Sequence, residues 1–412
     1  MPTQKPVALY PSYKELSAWR QSDYPEVAAF LASGESWWKP HWQWGCDYLC
    51  YIGRNKSEHT FARFRNEVEK FLLWAFIIAE KPIDQYRKVE ILEYADFVWK
   101  PPATWISRES NKRFELVDGL YRQHKDWAPF KLQKPKHYDR DELPKKSSYR
   151  TSQESLTATF TALSSFYEHL VMEEVVYGNP TRPAKRDCNH FINDTRVQNV
   201  SRLNREQWDY LYDTARCMAD ENPVYERSLF VILTLKVLFL RIGELSERPG
   251  WSPQMRHFKR DEFGNWWLDV LGKRKKPRSV SVPDAFMPVL KRYREHLGLH
   301  PLPSPSENDP LVGKLRGSGG MTSRHLRRLV QEVFDRAYQR MADELGHERA
   351  SELKEATAHW LRHTGASMEI ERGRALKDLA EDLGHSSTAT TDVIYVRVDH
   401  QIRAKSGKER AI

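Results

Sequence analysis

Four short stretches in the second half of the chain carry side chains able to act on a phosphate. The first is Arg241-Ile242-Gly243-Glu244-Leu245, where a guanidinium and a carboxylate three residues apart share one face of an expected helix, so the acid can orient the cation. The second is Gly272-Lys273-Arg274-Lys275-Lys276-Pro277-Arg278, a turn composition that concentrates positive charge at its tip. The third is His359-Trp360-Leu361-Arg362, which puts an imidazole and a guanidinium on one helix face, within reach of one phosphate. The fourth runs from Leu383-Gly384-His385 through Ser386, Ser387, Thr388, Thr390 and Thr391 to Tyr395. Each alone has an ordinary explanation: a structural ion pair, a solvated hairpin tip or nuclear-localisation-like run, helix surface, or a packing tyrosine beyond a Ser/Thr cap. In this order along one chain they supply what metal-free phosphoryl transfer to a tyrosine needs.

These positions must be carried by a mainly helical second half. Asn204 followed by Gln207 reads as a capping box opening one helix, and Tyr225 to Ser246 as a second, mostly buried one. Strand signals at Arg256 to Lys259, Trp266 to Leu271 and Ser279 to Val282, separated by turn compositions, predict a small antiparallel sheet. A Pro/Ser-rich loop, His300 to Pro310, leads into helices running to about Arg374 and then from Leu376 to Leu383. In the first half, apolar residues recur at threes and fours from Trp42 to Ile52 and from Thr60 to Ala79, and helical patterning resumes from Ser155 to Met172. Residues 1–38 hold a short helical pattern of open role. The polar stretch from Lys100 to Ser148 reads as an insertion or long loop. Two prolines and three basic residues in Asn179 to Arg186 suit an interdomain linker. The expected division is therefore an extension over 1–38, a helical domain over 39–182, a linker over 183–202 and a second domain over 203–412.

The ordered residues resemble the tyrosine recombinase family, also called phage or lambda-type integrases, whose pattern falls on Arg241, Lys273, His359, Arg362, His385 and Tyr395. The resemblance covers Leu203 to about His400. More weakly, His41 to Pro180 is similar to the family's helical core-binding domain, through His59-Thr60 before a helix and Leu163 to Leu170 ahead of Asn179-Pro180. The implied fold class is mainly α with a small antiparallel β-sheet in the catalytic domain, preceded by a helical, SAM-like core-binding domain. Two departures stand out: the spacing from His385 to Tyr395 is one residue longer than usual, and Phe239 stands where a glycine commonly precedes the first arginine.

The resemblance implies a site-specific recombinase that cuts and rejoins DNA through a covalent 3′-phosphotyrosyl intermediate, serving integration or excision of a mobile element. Tyr395 attacks the phosphodiester, and Arg241 and Arg362 offer planar forks to the charged non-bridging oxygens, a geometry lysine cannot match. A phenol with pKa near 10 needs a base, here His359, and the departing 5′ oxygen needs a proton, here from Lys273, chosen over Lys275 and Lys276 because it follows Gly272. His385 donates to the scissile phosphate and Glu244 holds Arg241. Arg274, Lys275, Lys276 and Arg278 on the hairpin, with Arg182, Lys185 and Arg186 on the linker, are expected DNA contacts. The implied partners are paired double-stranded DNA sites, a homotetramer upon them and accessory directionality proteins, with neither cofactor nor metal required. Other readings stay open: a non-catalytic DNA-binding regulator on the same fold, a type IB topoisomerase-like enzyme, or a metal module using His41, Cys46 and Cys50 with Cys188 or His190.

Composition agrees with a polyanion partner. Sixty-five Lys+Arg against 56 Asp+Glu leave a net charge of +9, a long-range field attractive to nucleic acid or anionic membrane. A chain of 412 residues, 40% hydrophobic and with 14 Trp, excludes a disordered polymer and a small stapled scaffold. The longest apolar runs, Phe71 to Ala79 and Leu229 to Leu240, fall short of the ~18 residues that span a bilayer. The N-terminus lacks the apolar core of a signal peptide and four cysteines are too few for a disulfide framework, so a cytoplasmic location is expected.

Overall fold

The computed structural model describes residues 5–108, 112–132, 145–191, 201–272, 275–385, 387–391 and 408. The chain divides into two compact units, Met1–Asp194 and Thr195–Ile412. Among the described residues no helix is long and apolar enough to cross a membrane.

The first unit is helical: α1 (Tyr13–Leu16), α2 (Pro25–Ser33), α3 (Trp38–Asn55), α4 (Glu58–Trp74), α5 (Lys88–Trp99), α6 (Gln153–Met172) and α7 (Thr181–Asp187). Ser57 and Ser152 cap α4 and α6 by accepting from the backbone N–H three residues on. Residues before α3 are part of the same core. Ala8, Leu9 and Tyr10 are fully buried with Leu49, Phe71 and Leu72, and the buried Glu69 carboxylate accepts from Leu9 N (2.7 Å) and Tyr10 N (3.2 Å) while pairing with Arg113. The stretch read as a loop holds two small sheets. Strand β1 (Ile106–Ser107) pairs in parallel with β4 (Phe130–Lys131), and β2 (Phe114–Val117) pairs antiparallel with β3 (Leu120–Gln123). Asp118 and Gly119 between β2 and β3 both have positive φ, the turn geometry that matches strand twist and is favoured by Asp-Gly. The basic segment read as a linker is helical in α7, with Thr181 and Ala184 buried.

The second unit contains α8 (Arg205–Glu221), α9 (Glu226–Val237), α10 (Ile242–Leu245), then β5 (Phe258–Arg260), β6 (Trp266–Leu271) and β7 (Pro277–Val282). There follow α11 (Met287–His296), α12 (Ser323–Leu345), α13 (His347–Glu355), α14 (Ala358–Glu371), α15 (Leu376–Leu383) and α16 (Thr388–Thr391). The sheet is antiparallel in the order β5-β6-β7, with Leu268 opposite Val280 and both fully buried. Helix α9 is apolar nearly all round because it runs through the core, which joins it to α8, α11, α12 and α14. Its approach to α14 is close enough that a Cβ on Gly365 would lie 1.9 Å from the Lys236 carbonyl oxygen.

Candidate active site

The expected single helix from Tyr225 to Ser246 is two helices, and the break builds the site. Phe239 takes a left-handed conformation (φ 52°), which ends α9 and lets the chain turn before α10. Arg241 is thus the residue that caps α10, and Glu244 lies in its first turn. The carboxylate accepts from Arg241 N (2.8 Å) and from Arg241 Nη1 (3.1 Å). The pairing expected from spacing is present, but as a helix cap rather than as neighbours along a helix face.

Arg362 on α14 is buried and tied to two separate segments. It donates through Nη1 to the Phe239 carbonyl and through Nη2 to the Leu383 carbonyl, and Nη2 lies 3.4 Å from His385 Nε2. Gly384 ends α15 in the left-handed conformation (φ 62°), turning His385 back toward Arg362. The His385 Nδ1 is 2.8 Å from the Thr391 hydroxyl on α16. His359 lies one turn before His363 on α14, and their rings meet edge to face with centroids 4.4 Å apart.

The electrostatics keep these imidazoles neutral. Burial, then Arg362, Arg241 and Arg278, push His385 down to about 4. Burial, then His359, Arg362 and His385, push His363 down to about 3, and His359 is lowered by desolvation followed by Arg362 and Arg241. Burial alone would raise the Glu244 carboxyl, but its hydrogen bonds to Arg278 and Arg241 and the nearby Arg362 hold it below its ordinary range. The structure thus brings Arg241, Glu244, His359, Arg362 and His385 into one cationic site able to bind a phosphate.

Lys273, Arg274 and Tyr395 lie outside the described residues. Lys275 and Lys276 are exposed at the β6–β7 turn, which closes through Gly272 N to the Lys276 carbonyl (2.8 Å). Arg278 departs from its expected place as an outward contact. Its guanidinium is turned inward, forking onto both Glu244 oxygens (2.6 and 2.9 Å), with Nε donating to the Asp382 carbonyl (2.9 Å). Arg182, Lys185 and Arg186 are exposed on α7, Arg182 paired with Glu168 and Arg186 with Asp187.

Sequence reasoning missed three features. His363 was passed over although it lies one helical turn from His359. Asp382, buried at the end of α15, accepts from Ser281 N and Oγ and from Arg374, pinning β7 to α15. Lys314, Arg316, Arg324, His325, Arg327 and Arg328 are exposed on the loop before α12 and on its first turns. That loop is joined to the Arg241–Glu244 segment by Glu247 N donating to the Met321 carbonyl (2.9 Å). Their signal was in the sequence, as an Arg-His-x-Arg-Arg run directly after the Thr322-Ser323 helix start. As for the metal alternative, His41 contacts the Trp37 carbonyl and Asp84 through its two nitrogens. Among the described residues no group of three or more metal-ligating side chains comes together.

Comparison with known proteins identifies the family. Residues 201–401 match the model of the phage integrase family. A tyrosine recombinase of Thermosipho africanus is 22% identical over 361 residues, covering 86% of this chain and 94% of the relative. Tyrosine recombinase XerC of Bradyrhizobium diazoefficiens is 34% identical over a shorter 134 residues, 32% of this chain and 36% of the relative. Among solved structures, the XerH site-specific recombinase bound to palindromic difH substrate in a post-cleavage complex aligns with a TM-score of 0.57 at 15% identity, covering 98% of this chain and 93% of that one. The Tn1549 transposon integrase in complex with circular intermediate DNA aligns with a TM-score of 0.53 at 16% identity, over 89% of this chain and 98% of that one.

Proposed function

For a chain that belongs to the phage integrase, or tyrosine recombinase, family, we propose a site-specific recombinase that breaks and rejoins DNA strands through a 3′-phosphotyrosyl link. We further propose that it serves integration or excision of a mobile element. The observation that carries the reading is the junction at Arg362, whose guanidinium bridges the Phe239 and Leu383 carbonyls. That bridge ties together the segment that carries Arg241, two residues beyond Phe239, and the one that carries His385, two beyond Leu383, which supports a shared role for the three side chains at one phosphate.

In this reading Tyr395 attacks the phosphorus and its proton passes to His359, which is held neutral and therefore able to accept it. Charge grows on the non-bridging oxygens, where Arg241 and Arg362 supply fixed donors that need no reorganisation. His385 donates a further hydrogen bond, and Lys273 protonates the departing 5′ oxygen. The phosphotyrosyl bond conserves the energy of the broken one, so a 5′ hydroxyl of another strand reverses the step without a nucleotide cofactor. Paired duplex sites and a tetramer of this chain are the assembly we propose, with accessory proteins setting direction. The hairpin lysines Lys275 and Lys276, the cations of the first turns of α12 and those of α7 are its proposed phosphate contacts.

The test is covalent capture. The purified protein is incubated with a randomised library of nicked duplexes, in which the short 5′ fragment diffuses away and traps the adduct. Detergent-resistant adducts that disappear with Tyr395→Phe support the reading, and sequencing their DNA identifies the site. Duplex binding without any adduct, on the library or on DNA flanking the gene, would instead support a DNA-binding regulator on the same fold.

A further inference from the structure

Arg278 is fully engaged beside the site, and among the described residues each of its hydrogen bonds runs inward. Both Glu244 oxygens and the Asp382 carbonyl receive its donors. Two glycines make room for it: a Cβ on Gly384 would lie 2.9 Å from Arg278 Cδ, and one on Gly272 would lie 3.3 Å from its Nη1. Its side chain is 12% exposed, against 35% for Arg241.

The two arginines share one carboxylate on unequal terms. Arg278 holds Glu244 through a bidentate fork, whereas Arg241 reaches it with one side-chain contact, Nη1 to Oε1 at 3.1 Å. A carboxylate has about four acceptor directions. Here they are taken by two bonds from Arg278, one from Arg241 N and one from Arg241 Nη1. Among the described residues no further hydrogen bond engages the other Arg241 guanidinium donors.

Resting on the recombinase reading above, we propose that Arg278 is a positioning residue: by occupying Glu244 it prevents that carboxylate from clamping Arg241, and so keeps the Arg241 fork available to the scissile phosphate. Through its bond to the Asp382 carbonyl it also ties the Arg241 loop to the Gly384-His385 turn. Without it, Glu244 is a buried carboxylate with two open acceptor sites beside Arg241, and an arginine fork fits that vacancy.

The prediction is an unusual rescue. On nicked duplexes carrying the captured site, Arg278→Met should slow single-turnover cleavage by about 100-fold, comparable to losing a preorganised donor, with DNA affinity within about threefold. Adding Glu244→Gln, a weaker clamp, should restore cleavage at least ~5-fold over Arg278→Met alone, a non-additivity expected of groups in direct contact. Arg278→Lys keeps the charge but not the fork and should fall between. Rates are taken on the DNA-bound fraction, with thermal melts run alongside, so lost folding is not counted as lost chemistry. An independent readout is the crystal structure of Arg278→Met, which should show Arg241 forked onto both Glu244 oxygens. A double variant slower than Arg278→Met, or an Arg241 unmoved in that structure, overturns the proposal. Adducts that persist with Tyr395→Phe would instead sink the tyrosine reading, and the crystal structure would still decide the role of Arg278.

Discussion

The carbonyl of Phe239 accepts a hydrogen bond from Arg362 Nη1, so a residue in strained left-handed backbone holds a cation of the site 123 positions away. The strain has a visible return. The Phe239 ring packs with Ala366, Leu379 and Leu383, and the Arg374 guanidinium lies 5.8 Å from its centroid. A φ of 52° is one that glycine adopts without strain.

Substitution at Phe239 should therefore invert a familiar order. Removing the ring costs ~3–5 kcal/mol in a packed cluster, but Ala retains the left-handed strain of roughly 1–2 kcal/mol and Gly does not. Phe239→Gly should be less stable than wild type yet more stable than Phe239→Ala by about 1 kcal/mol. Denaturant unfolding of the three proteins measures it; Ala as stable as Gly would mean that the strain is absent.

Arg241 and Arg362 should separate in stability while agreeing in chemistry. Arg241→Ala removes a partly exposed side chain whose carboxylate partner keeps Arg278, so its stability should stay within about 1 kcal/mol of wild type. Arg362→Ala leaves the Phe239 and Leu383 carbonyls without their donor and should cost ~3 kcal/mol. Both should lower adduct formation on the order of 10²- to 10³-fold while duplex binding persists. Equal loss of binding and cleavage for Arg241→Ala would assign it to DNA affinity rather than to the transition state.

The neutral imidazoles set a pH dependence with a definite sign. The folded-state values of His385 and His363, about 4 and about 3, lie below the ordinary imidazole value. The unfolded chain therefore binds protons that the folded chain does not. Their contribution to stability is complete above the ordinary value near 6.5 and is lost as the pH falls through the folded values. His363→Phe should flatten stability against pH between about 6.5 and 3 relative to wild type, a comparison that cancels the carboxylates. In the same frame, cleavage should hold its plateau to below the ordinary imidazole pKa, because His359 is lowered too. Arg241→Lys, which keeps a cation, should leave the acid limb in place, whereas Arg241→Met should shift it upward.

Gly365 offers a purely steric check on the α9–α14 contact that carries the site. In an ordinary helix interior Gly→Ala gains about 1 kcal/mol. Here the added methyl meets the Lys236 carbonyl oxygen at 1.9 Å, so Gly365→Ala should destabilise by ~3 kcal/mol or more and lower Tm.

Much of this was legible in the chain because it depends on local periodicity. The β6 strand, α15 and the capping box at Asn204 stand where alternation, helical spacing and side-chain chemistry put them. The types of the clustered residues were legible too, since phosphate chemistry demands forks and imidazoles in any fold. The break in α9 was not, because Val237-Leu238-Phe239-Leu240 is as apolar as a continuing helix, and only tertiary contacts hold Phe239 in the left-handed region. Nor was the inward turn of Arg278. A basic hairpin reads as one patch, whereas the alternation of β7 sends one of its cations to a carboxylate 34 residues earlier. The role of residues 5–37 was hidden for a similar reason, since Glu69, Leu9 and Tyr10 meet only in the folded core.

The cations that open α12 make the last prediction, about binding rather than catalysis. Arg324, Arg327 and Arg328 stand at i, i+3 and i+4, on one side of a helix whose N-terminal dipole adds to their field. They are exposed, and the backbone bond from Glu247 to Met321 anchors their helix start beside the Arg241 loop. Each that neutralises a phosphate should lower the slope of log K against log salt by about 0.9, so Arg324→Ala with Arg328→Ala should reduce it by roughly 2. If both act only on phosphates, every duplex sequence should lose affinity equally. If one reads a base edge, the captured site should lose a further ~1–3 kcal/mol at one position, where the variant no longer discriminates. An unchanged slope would remove this face of α12 from the DNA interface and leave the hairpin and α7 to supply it.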